Sequence, residues 1–218
     1  MVITALVTVV AAYLIGSISF AVIFAKSFLK KDVRELGSGN AGTTNVMRNA
    51  GFLPGALTFI FDALKGFAAA FMGKAIFEYI HTQTGSEWSF WIYGAYLCGA
   101  ACMLGHILPL FFGFKGGKGV ATSVGIYAVC CPIAIIIGLA VFAVSTLVTR
   151  YVSLSSVLAA TVVVVLSIVF HNDTAGILPQ IILSISMGAM VIIKHKDNIK
   201  RLINGTERKI KLGGKKHG

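Results

Sequence analysis

Long apolar stretches take up most of this chain, and short polar segments separate them. Six such stretches lie at about 2–25, 52–73, 88–112, 120–149, 152–170 and 176–193. Each can supply the roughly 20 apolar residues that an α-helix needs to cross a bilayer. The pattern therefore predicts an all-α integral membrane protein, in which residues 1–218 form a single transmembrane domain.

Composition and charge agree with this prediction. Hydrophobic residues make up 56% of the chain and charged residues 12%, whereas soluble domains carry about 25% charged residues. A net charge of +11 could indicate nucleic-acid binding, but 9 of the 19 Lys and Arg residues follow Ile193. In a membrane protein, such a cluster is typical of a segment that stays in the cytoplasm. We therefore expect membrane lipid, and no nucleic acid, as a partner.

The distribution of cations conflicts with six membrane crossings. Basic segments follow the first and third apolar stretches, and the most basic segment is the tail after Ile193. With six crossings, the tail would lie on the opposite side of the membrane from the other two. That arrangement violates the positive-inside rule, so one further crossing is required.

The stretch 120–149 is the place for this crossing, because it is longer than one span needs and contains Pro132. A short helix hairpin near Cys131-Pro132 gives seven transmembrane helices, with the N-terminus outside and the C-terminus cytoplasmic. Then 17 of the 19 cations face or border the cytoplasm, and the outside loops, 74–87 and 171–175, carry few. Each half is short for a full crossing, so the hairpin is either thin or re-entrant.

A glycine-rich polar segment follows the first apolar stretch. It reads Gly37-Ser38-Gly39-Asn40-Ala41-Gly42-Thr43-Thr44-Asn45, with Arg48 three residues on. Backbone N–H groups, hydroxyl and amide side chains and a guanidinium fork together suit a phosphate. Its glycines match the G-x-G-x-x-G spacing of dinucleotide-binding folds, but that fingerprint needs a βαβ unit, which this chain lacks. A flexible loop would explain the glycines but not the polar side chains among them.

A second segment, Lys115-Gly116-Gly117-Lys118-Gly119, leads into the stretch that starts at Val120. It does not match the P-loop pattern, because no Ser or Thr follows Lys118. Backbone N–H groups at a helix start, together with two lysines, still form an anion trap. The alternative is an ordinary basic turn, but two such segments on one membrane face favour a shared site.

Three ionisable residues lie inside the predicted spans. Asp62 and Lys65 are three residues apart on one helix face, and intramembrane charges are costly and usually functional. They either pair with each other or line the polar site and hold its helices. His106 lies near the end of its span, where a packing role and a catalytic role are both open.

Further polar residues stand at the cytoplasmic ends of the later spans. Ser153, Ser155 and Ser156 follow Arg150, and the basic tail contains His195 and Asn198 with helical spacing. The sequence does not show which serine faces the site. The chain has no cluster of residues with metal-ligand spacing, so we expect no metal and no cofactor.

Together these segments resemble the motifs of a bacterial family, the membrane acyl-phosphate:glycerol-3-phosphate acyltransferases of the PlsY type. The matching positions are Gly37 to Asn45 with Arg48, then Gly105-His106 and Pro109 with Gly116-Gly117-Lys118-Gly119-Val120-Ala121-Thr122, and then His195-Lys196-Asp197-Asn198-Ile199, Arg201-Leu202 and Gly205-Thr206-Glu207. Asp62 with Lys65-Gly66, and Tyr151-Val152-Ser153-Leu154, resemble further family positions. The similarity covers nearly the whole chain in order.

The resemblance implies a seven-helix enzyme of the bacterial cytoplasmic membrane, with its active site facing the cytoplasm. It would transfer a fatty acyl group from acyl phosphate to the 1-hydroxyl of glycerol 3-phosphate, giving 1-acylglycerol 3-phosphate and inorganic phosphate. This is the first acylation of phospholipid synthesis, without acyl-CoA or a metal. We expect a monomer, with other enzymes of phospholipid synthesis as further partners.

The residues permit roles for this reaction. Four residues are assigned to catalysis: Ser38, Arg48, Lys118 and His195. Nine are assigned to substrate binding: Gly39, Asn40, Thr44, Asn45, Lys115, Gly116, Gly117, Ser153 and Asn198. Four are assigned to support: Asp62, Lys65, His106 and Glu207. The proton of the glycerol hydroxyl goes either to His195 or to a phosphate oxygen of the substrate.

Two other functions fit part of the sequence. A membrane transporter of an organic phosphate would also use cationic glycine loops and intramembrane charges. It would carry polar residues along several spans and on both faces, whereas the anion-binding candidates here gather on one face. A structural membrane subunit would explain the hydrophobicity but not the motifs.

Overall fold

A computed structural model describes residues 1–85, 91–170 and 177–210. Within these residues the chain forms ten α-helices and no strand. The helices are α1 (Val2–Gly16), α2 (Phe20–Leu29), α3 (Thr43–Ala50), α4 (Phe52–Thr84), α5 (Trp91–Ile107), α6 (Val120–Cys130), α7 (Pro132–Thr149), α8 (Val152–Val169), α9 (Ile177–Lys194) and α10 (Lys196–Ile203). The all-α prediction is confirmed for this part of the chain.

The first apolar stretch is not one straight helix. α1 ends at Gly16 and α2 begins at Phe20, although Val2–Leu29 as a whole is one candidate membrane span, as predicted. A helix break leaves backbone carbonyls without partners, which is costly in a membrane. Here the Ile18 carbonyl accepts a hydrogen bond of 2.6 Å from the buried Lys65 ammonium of α4. The break is therefore stabilised by a cation from another helix.

α4 is the longest helix and packs against α1, α5 and α6. Glycines let the backbones approach closely, because a Cβ at Gly66 would overlap the Thr122 carbonyl and one at Gly73 the Gly94 carbonyl. Small residues serve this purpose at helix contacts in membranes. α4 thus forms the centre of the bundle.

The predicted outside loop 74–87 is wrong over most of its length. Residues 74–84 contain no Gly or Pro, and α4 continues through them to Gly85, whose left-handed φ of 64° ends the helix. Positions 86 and 87, and the whole loop 171–175, lie outside the described residues.

The break predicted at Cys131-Pro132 is confirmed. α6 ends at Cys130, and α7 begins at Pro132, which occupies the first helical position. Proline is tolerated there because the first N–H of a helix has no intrahelical partner. The 11 residues of α6 span roughly 17 Å at 1.5 Å per residue, which is less than the hydrocarbon core.

Length and hydropathy make this an integral membrane protein. Among the described residues, five segments are apolar and long enough to cross a bilayer. They are Val2–Leu29, Phe52–Thr84, Tyr93–Phe112, Pro132–Thr149 and Val152–Val169. α9 and α10, which meet at 54°, make a sixth if they are taken as one bent span. α6 falls short by length, so the prediction of seven crossings stays a prediction.

Candidate active site

Asn45 shapes the first glycine-rich loop. This buried side chain lies on α3, which begins at Thr43, so the end of the motif is helical. Its Nδ2 donates hydrogen bonds of 2.9 to 3.0 Å to three loop carbonyls, and its Oδ1 accepts one of 3.1 Å from the Ser38 N–H. The three carbonyls belong to Val33, Leu36 and Asn40.

These bonds, with a further one of 3.0 Å from Asn49 Nδ2 to Oδ1, use the whole amide of Asn45. Both polar atoms of the Asn45 side chain therefore have protein partners, and the assignment of Asn45 to substrate binding stays a prediction. Ser38 and Gly39 are exposed on the loop that Asn45 holds, and Asn40 and Thr44 are partly buried beside it.

The second glycine loop packs on His106 and on the first loop. The Gly117 N–H donates to the His106 carbonyl at 3.1 Å. A Cβ at Gly117 would overlap the His106 ring and lie 2.6 Å from the Ala41 carbonyl of the first loop. Gly117 thus allows a contact that side chains would block, and the two loops predicted to share a site do touch.

The Glu207 carboxylate binds side chains from two other segments of the chain, α8 and α10. Its Oε1 accepts hydrogen bonds from Ser153 Oγ at 2.8 Å and Asn198 Nδ2 at 2.7 Å, and its Oε2 accepts one from Arg201 Nε at 2.7 Å. The Glu207 side chain is only 6% exposed. Burial alone would raise the pKa of this carboxyl, but the three hydrogen bonds hold it below its usual value. Glu207 is therefore an ionised hub in the folded protein.

Lys118 and Arg48 meet this hub. Lys118 Nζ contacts Asn198 Oδ1, so the amide of Asn198 bridges Lys118 and Glu207. The guanidinium of Arg48 donates to the carbonyl of Arg208, next to Glu207, at 3.3 Å. Burial lowers the pKa of Lys118 to about 8, with Glu207 opposing the shift and Arg48 adding to it. Two cations from distant segments thus lie close to one carboxylate.

His195 completes the cluster as a neutral side chain. It follows α9 and is only 3% exposed. Its Nδ1 lies 2.8 Å from the Val191 carbonyl, and this contact assigns the ring proton to Nδ1 and the lone pair to Nε2. Burial, followed by the charge of Lys118, lowers the pKa of His195 to about 4.

The three serines after Arg150 and the two lysines of the second loop differ in their contacts. Ser153 is the serine that faces the hub, whereas Ser155 donates to the Tyr151 carbonyl at 3.1 Å and Ser156 to the Val152 carbonyl at 2.8 Å. Lys118 lies within the network, whereas Lys115 is exposed on the same loop.

Asp62, Lys65 and His106 form a buried group behind the loops. Lys65 Nζ lies 2.7 Å from Asp62 Oδ1, and His106 Nδ1 lies 3.6 Å from the same oxygen. Lys65 also donates a hydrogen bond to the Ile18 carbonyl at the α1–α2 break, and the His106 carbonyl accepts one from the Gly117 N–H. Asp62 and Lys65 thus neutralise each other's charge, and Lys65 and His106 also hold neighbouring segments. Both contributions fit the supporting role assigned to these three residues.

Sequence reasoning missed an Asp–Arg clamp in the first loop. Arg34 binds both carboxylate oxygens of Asp32 at 2.8 and 3.0 Å, and its Nη1 donates to the Phe112 carbonyl at 2.6 Å. The guanidinium of Arg34 holds the pKa of Asp32 below its usual value. The clamp joins the first loop to the segment before the second. Asp32 and Arg34 stand close in the sequence, but the Phe112 carbonyl that Arg34 binds lies 78 residues from Arg34.

Comparison with known proteins identifies the family. A family model described as glycerol-3-phosphate acyltransferase matches residues 6–205. The chain belongs to this family. The family predicted from the motifs is therefore confirmed, and membership favours an acyltransferase over an organic-phosphate transporter.

Individual glycerol-3-phosphate acyltransferases match over nearly the full length of the chain. The chain is 40% identical to glycerol-3-phosphate acyltransferase 2 of Bacillus anthracis over 205 residues, which is 94% of this chain and 98% of the relative. The crystal structure of PlsY (YgiH), an integral membrane glycerol 3-phosphate acyltransferase, in its glycerol 3-phosphate form, has a TM-score of 0.81 at 38% identity and covers 95% of this chain and 96% of its own. A crystal structure of its lysophosphatidic acid form has a TM-score of 0.78 at 38% identity, covering 95% of each chain.

Proposed function

We propose that this protein transfers a fatty acyl group from acyl phosphate to the 1-hydroxyl of glycerol 3-phosphate. The products are 1-acylglycerol 3-phosphate and inorganic phosphate, and the reaction serves bacterial phospholipid synthesis. The observation that carries the proposal is the meeting of Arg48 and Lys118 beside the Glu207 hub. The charge of Lys118 also lowers the pKa of the buried His195. Family membership gives the acceptor, and the chemistry of the cluster supports the donor.

The cluster suits two phosphate-bearing substrates. The Arg48 fork and the Lys118 ammonium supply positive charge, and the exposed Ser38 side chain supplies a hydroxyl. Glu207 accepts hydrogen bonds from Arg201, Asn198 and Ser153. These bonds fix the position of Asn198, which contacts Lys118. Positioning and charge stabilisation are the main contributions that a protein makes when the leaving group is already good.

Acyl phosphate is a mixed anhydride, so the enzyme does not need a strong nucleophile of its own. The hydroxyl oxygen of glycerol 3-phosphate bonds to the acyl carbon. The bond between that carbon and the phosphate oxygen breaks, and the phosphate leaves with the bonding electron pair. The hydroxyl proton ends on a phosphate oxygen, which balances the step without a covalent enzyme intermediate.

We assign the proton to phosphate rather than to His195 because of their basicities. A general base works best when its pKa lies near the working pH. The pKa of His195 is about 4, whereas the second pKa of a phosphate monoester is about 6. The lone pair on Nε2 of His195 instead accepts a hydrogen bond from the glycerol hydroxyl and orients it. His195 is then a catalytic residue by contact, not by proton transfer.

In this proposal the protein is a monomer that crosses the bacterial cytoplasmic membrane seven times. Its active site faces the cytoplasm, from which the substrates enter. Lys118 precedes α6 and Ser153 follows α7, yet both reach the Glu207 network. α6 and α7 therefore leave the cluster and return to it, as a helix hairpin does. This geometry supports the prediction that both cross or deeply enter the membrane.

The test uses purified protein in detergent or lipidic mesophase, with acyl phosphate and glycerol 3-phosphate. We expect phosphate release that requires both substrates, together with 1-acylglycerol 3-phosphate identified by mass spectrometry. Lys118→Met should abolish release, whereas Lys196→Met, at an exposed position of α10, should not. Product formation from acyl-CoA but not from acyl phosphate would refute the donor. Uptake of glycerol 3-phosphate into vesicles without acyl transfer would refute the enzyme.

A further inference from the structure

An apolar groove starts next to the cluster and runs between α6, α7, α8 and α9. Its near end lies at Val120, two residues after Lys118, at Ser156, one turn after Ser153, and at Val191, whose carbonyl faces His195. Its far end lies at Tyr127, Val163 and Met187. Along the helices this is a depth of roughly 10 Å at 1.5 Å per residue. Because it opens at the site of acyl transfer, the groove is where an acyl chain would lie.

A buried group of polar side chains closes the far end, which we call the polar floor. Gln180 Nε2 donates to Tyr96 OH at 3.1 Å and to the Ser167 carbonyl at 3.3 Å, and Ser167 Oγ donates to Ser184 Oγ at 3.3 Å. The Tyr127 ring lines the groove and packs edge-on against Tyr96, with centroids 6.1 Å apart. All five side chains are at most 3% exposed.

Two atoms of the polar floor, Tyr127 OH and Gln180 Oε1, have no hydrogen-bond partner among the described residues. A buried polar atom without a partner is costly, and a hydrocarbon chain pushed against it offers none. The pair of tyrosine rings also blocks the path sterically. The floor therefore opposes any acyl chain that would extend past Tyr127, through both shape and polarity.

We infer that the polar floor sets the longest acyl chain that the enzyme accepts, with Tyr127 and Gln180 as the specificity-determining residues. This inference rests on the proposed acyl transfer. It assigns to the floor a role separate from that of the phosphate cluster, which binds the headgroups. Changes at the floor should alter the choice of chain length and leave the KM for glycerol 3-phosphate within about twofold of the wild-type value.

The experiment measures kcat/KM for a series of saturated acyl phosphates of increasing even chain length. Tyr127→Leu shortens the side chain and removes the hydroxyl, so we expect the optimum to move to longer chains. The preference for the next longer donor should rise by roughly tenfold, the lower end of what one methylene contributes in a hydrophobic pocket. Tyr79→Leu makes the same change at an exposed position of α4, away from the groove, and should keep the wild-type profile.

A second variant acts in the opposite direction and does not depend on the floor being intact. Ala160 lines the middle of the groove, and Ala160→Leu fills it, so the optimum should move to shorter chains. A wild-type profile in either variant, recovered as folded active enzyme, overturns the inference. If the wild type releases phosphate from no acyl phosphate of any length, the proposed function itself fails.

Discussion

The carboxylate of Glu207 holds side chains from α8 and α10 in place around Lys118. Glu207→Gln keeps the shape, but its amide nitrogen cannot accept the hydrogen bond from Arg201. Hydrogen bonds to charged groups contribute about 1.5–3 kcal/mol. We therefore expect kcat/KM to fall by roughly 10- to 100-fold, measured as phosphate release. Glu78→Gln, at an exposed position of α4, should leave kcat/KM unchanged, and an unaffected Glu207→Gln would show that the hub is dispensable.

The charge of Lys118 predicts a pH dependence. Its pKa is lowered to about 8, so the ammonium is charged below pH 8 and loses its proton as the pH rises through this value. Because kcat/KM reports the free enzyme, it should fall about tenfold per pH unit above pH 8. In Lys118→Arg the guanidinium stays protonated, so the fall should disappear from this range. An alkaline limb shared by both proteins would assign the titration to another group.

Single residues are where the sequence is least decisive. Asn45 and Asn198 both carry an amide and both stand in polar motifs. The amide of Asn45 donates hydrogen bonds to loop carbonyls, whereas that of Asn198 bridges Lys118 and Glu207. Residue type and spacing fit both roles equally well. The partners that separate the roles come from segments that only the folded chain brings together.

At the scale of helices, the α1–α2 break depends on the Asp62–Lys65 pair. Lys65→Met removes the donor to the Ile18 carbonyl and leaves a buried carboxylate without its cation. Breaking a buried ion pair costs about 3–5 kcal/mol, so the variant should unfold at a clearly lower temperature in detergent. Asp62→Asn combined with Lys65→Met should recover part of the loss.

The exposed Lys200→Met provides the matched control and should unfold with the wild type. If Lys65→Met also unfolds at the wild-type temperature, the pair does not hold the break. An unfolding temperature for the double variant below that of Lys65→Met would show that the unpaired carboxylate is not the cause.

One helix break was predictable from the sequence and the other was not. The break at Cys131-Pro132 follows from charge parity along the whole chain and from a proline, both of which are visible in the sequence. The break at Ser17 to Ser19 lies in an apolar run with no proline. This break depends on a hydrogen bond from Lys65 to the Ile18 carbonyl, 47 residues away. The spacing of apolar residues does not predict that bond.

At the scale of the whole molecule, the proposed topology of seven crossings puts every segment of the cluster on one membrane face. A reporter fused near Cys131-Pro132 should read outside, and one fused after Arg150 should read cytoplasmic. The physical reason is that cations resist transfer across the membrane, so basic segments stay inside. A cytoplasmic reading near Cys131-Pro132 would exclude a full crossing by α6 and α7.

The overall function was predictable because three polar motifs stand in order within an otherwise apolar chain. Polar and charged side chains are energetically unfavourable in a membrane, so their presence indicates a function. Their convergence on Glu207 was not predictable, because the chain path through the bundle determines it.

The most direct test of the account is a structure of this protein with glycerol 3-phosphate bound. The account predicts phosphate density between the Arg48 guanidinium and Lys118 Nζ, within hydrogen-bond distance of both, and beside an intact contact of Glu207 with Ser153 and Asn198. Phosphate bound away from Arg48 and Lys118, with these two side chains engaged only by the protein, would contradict it.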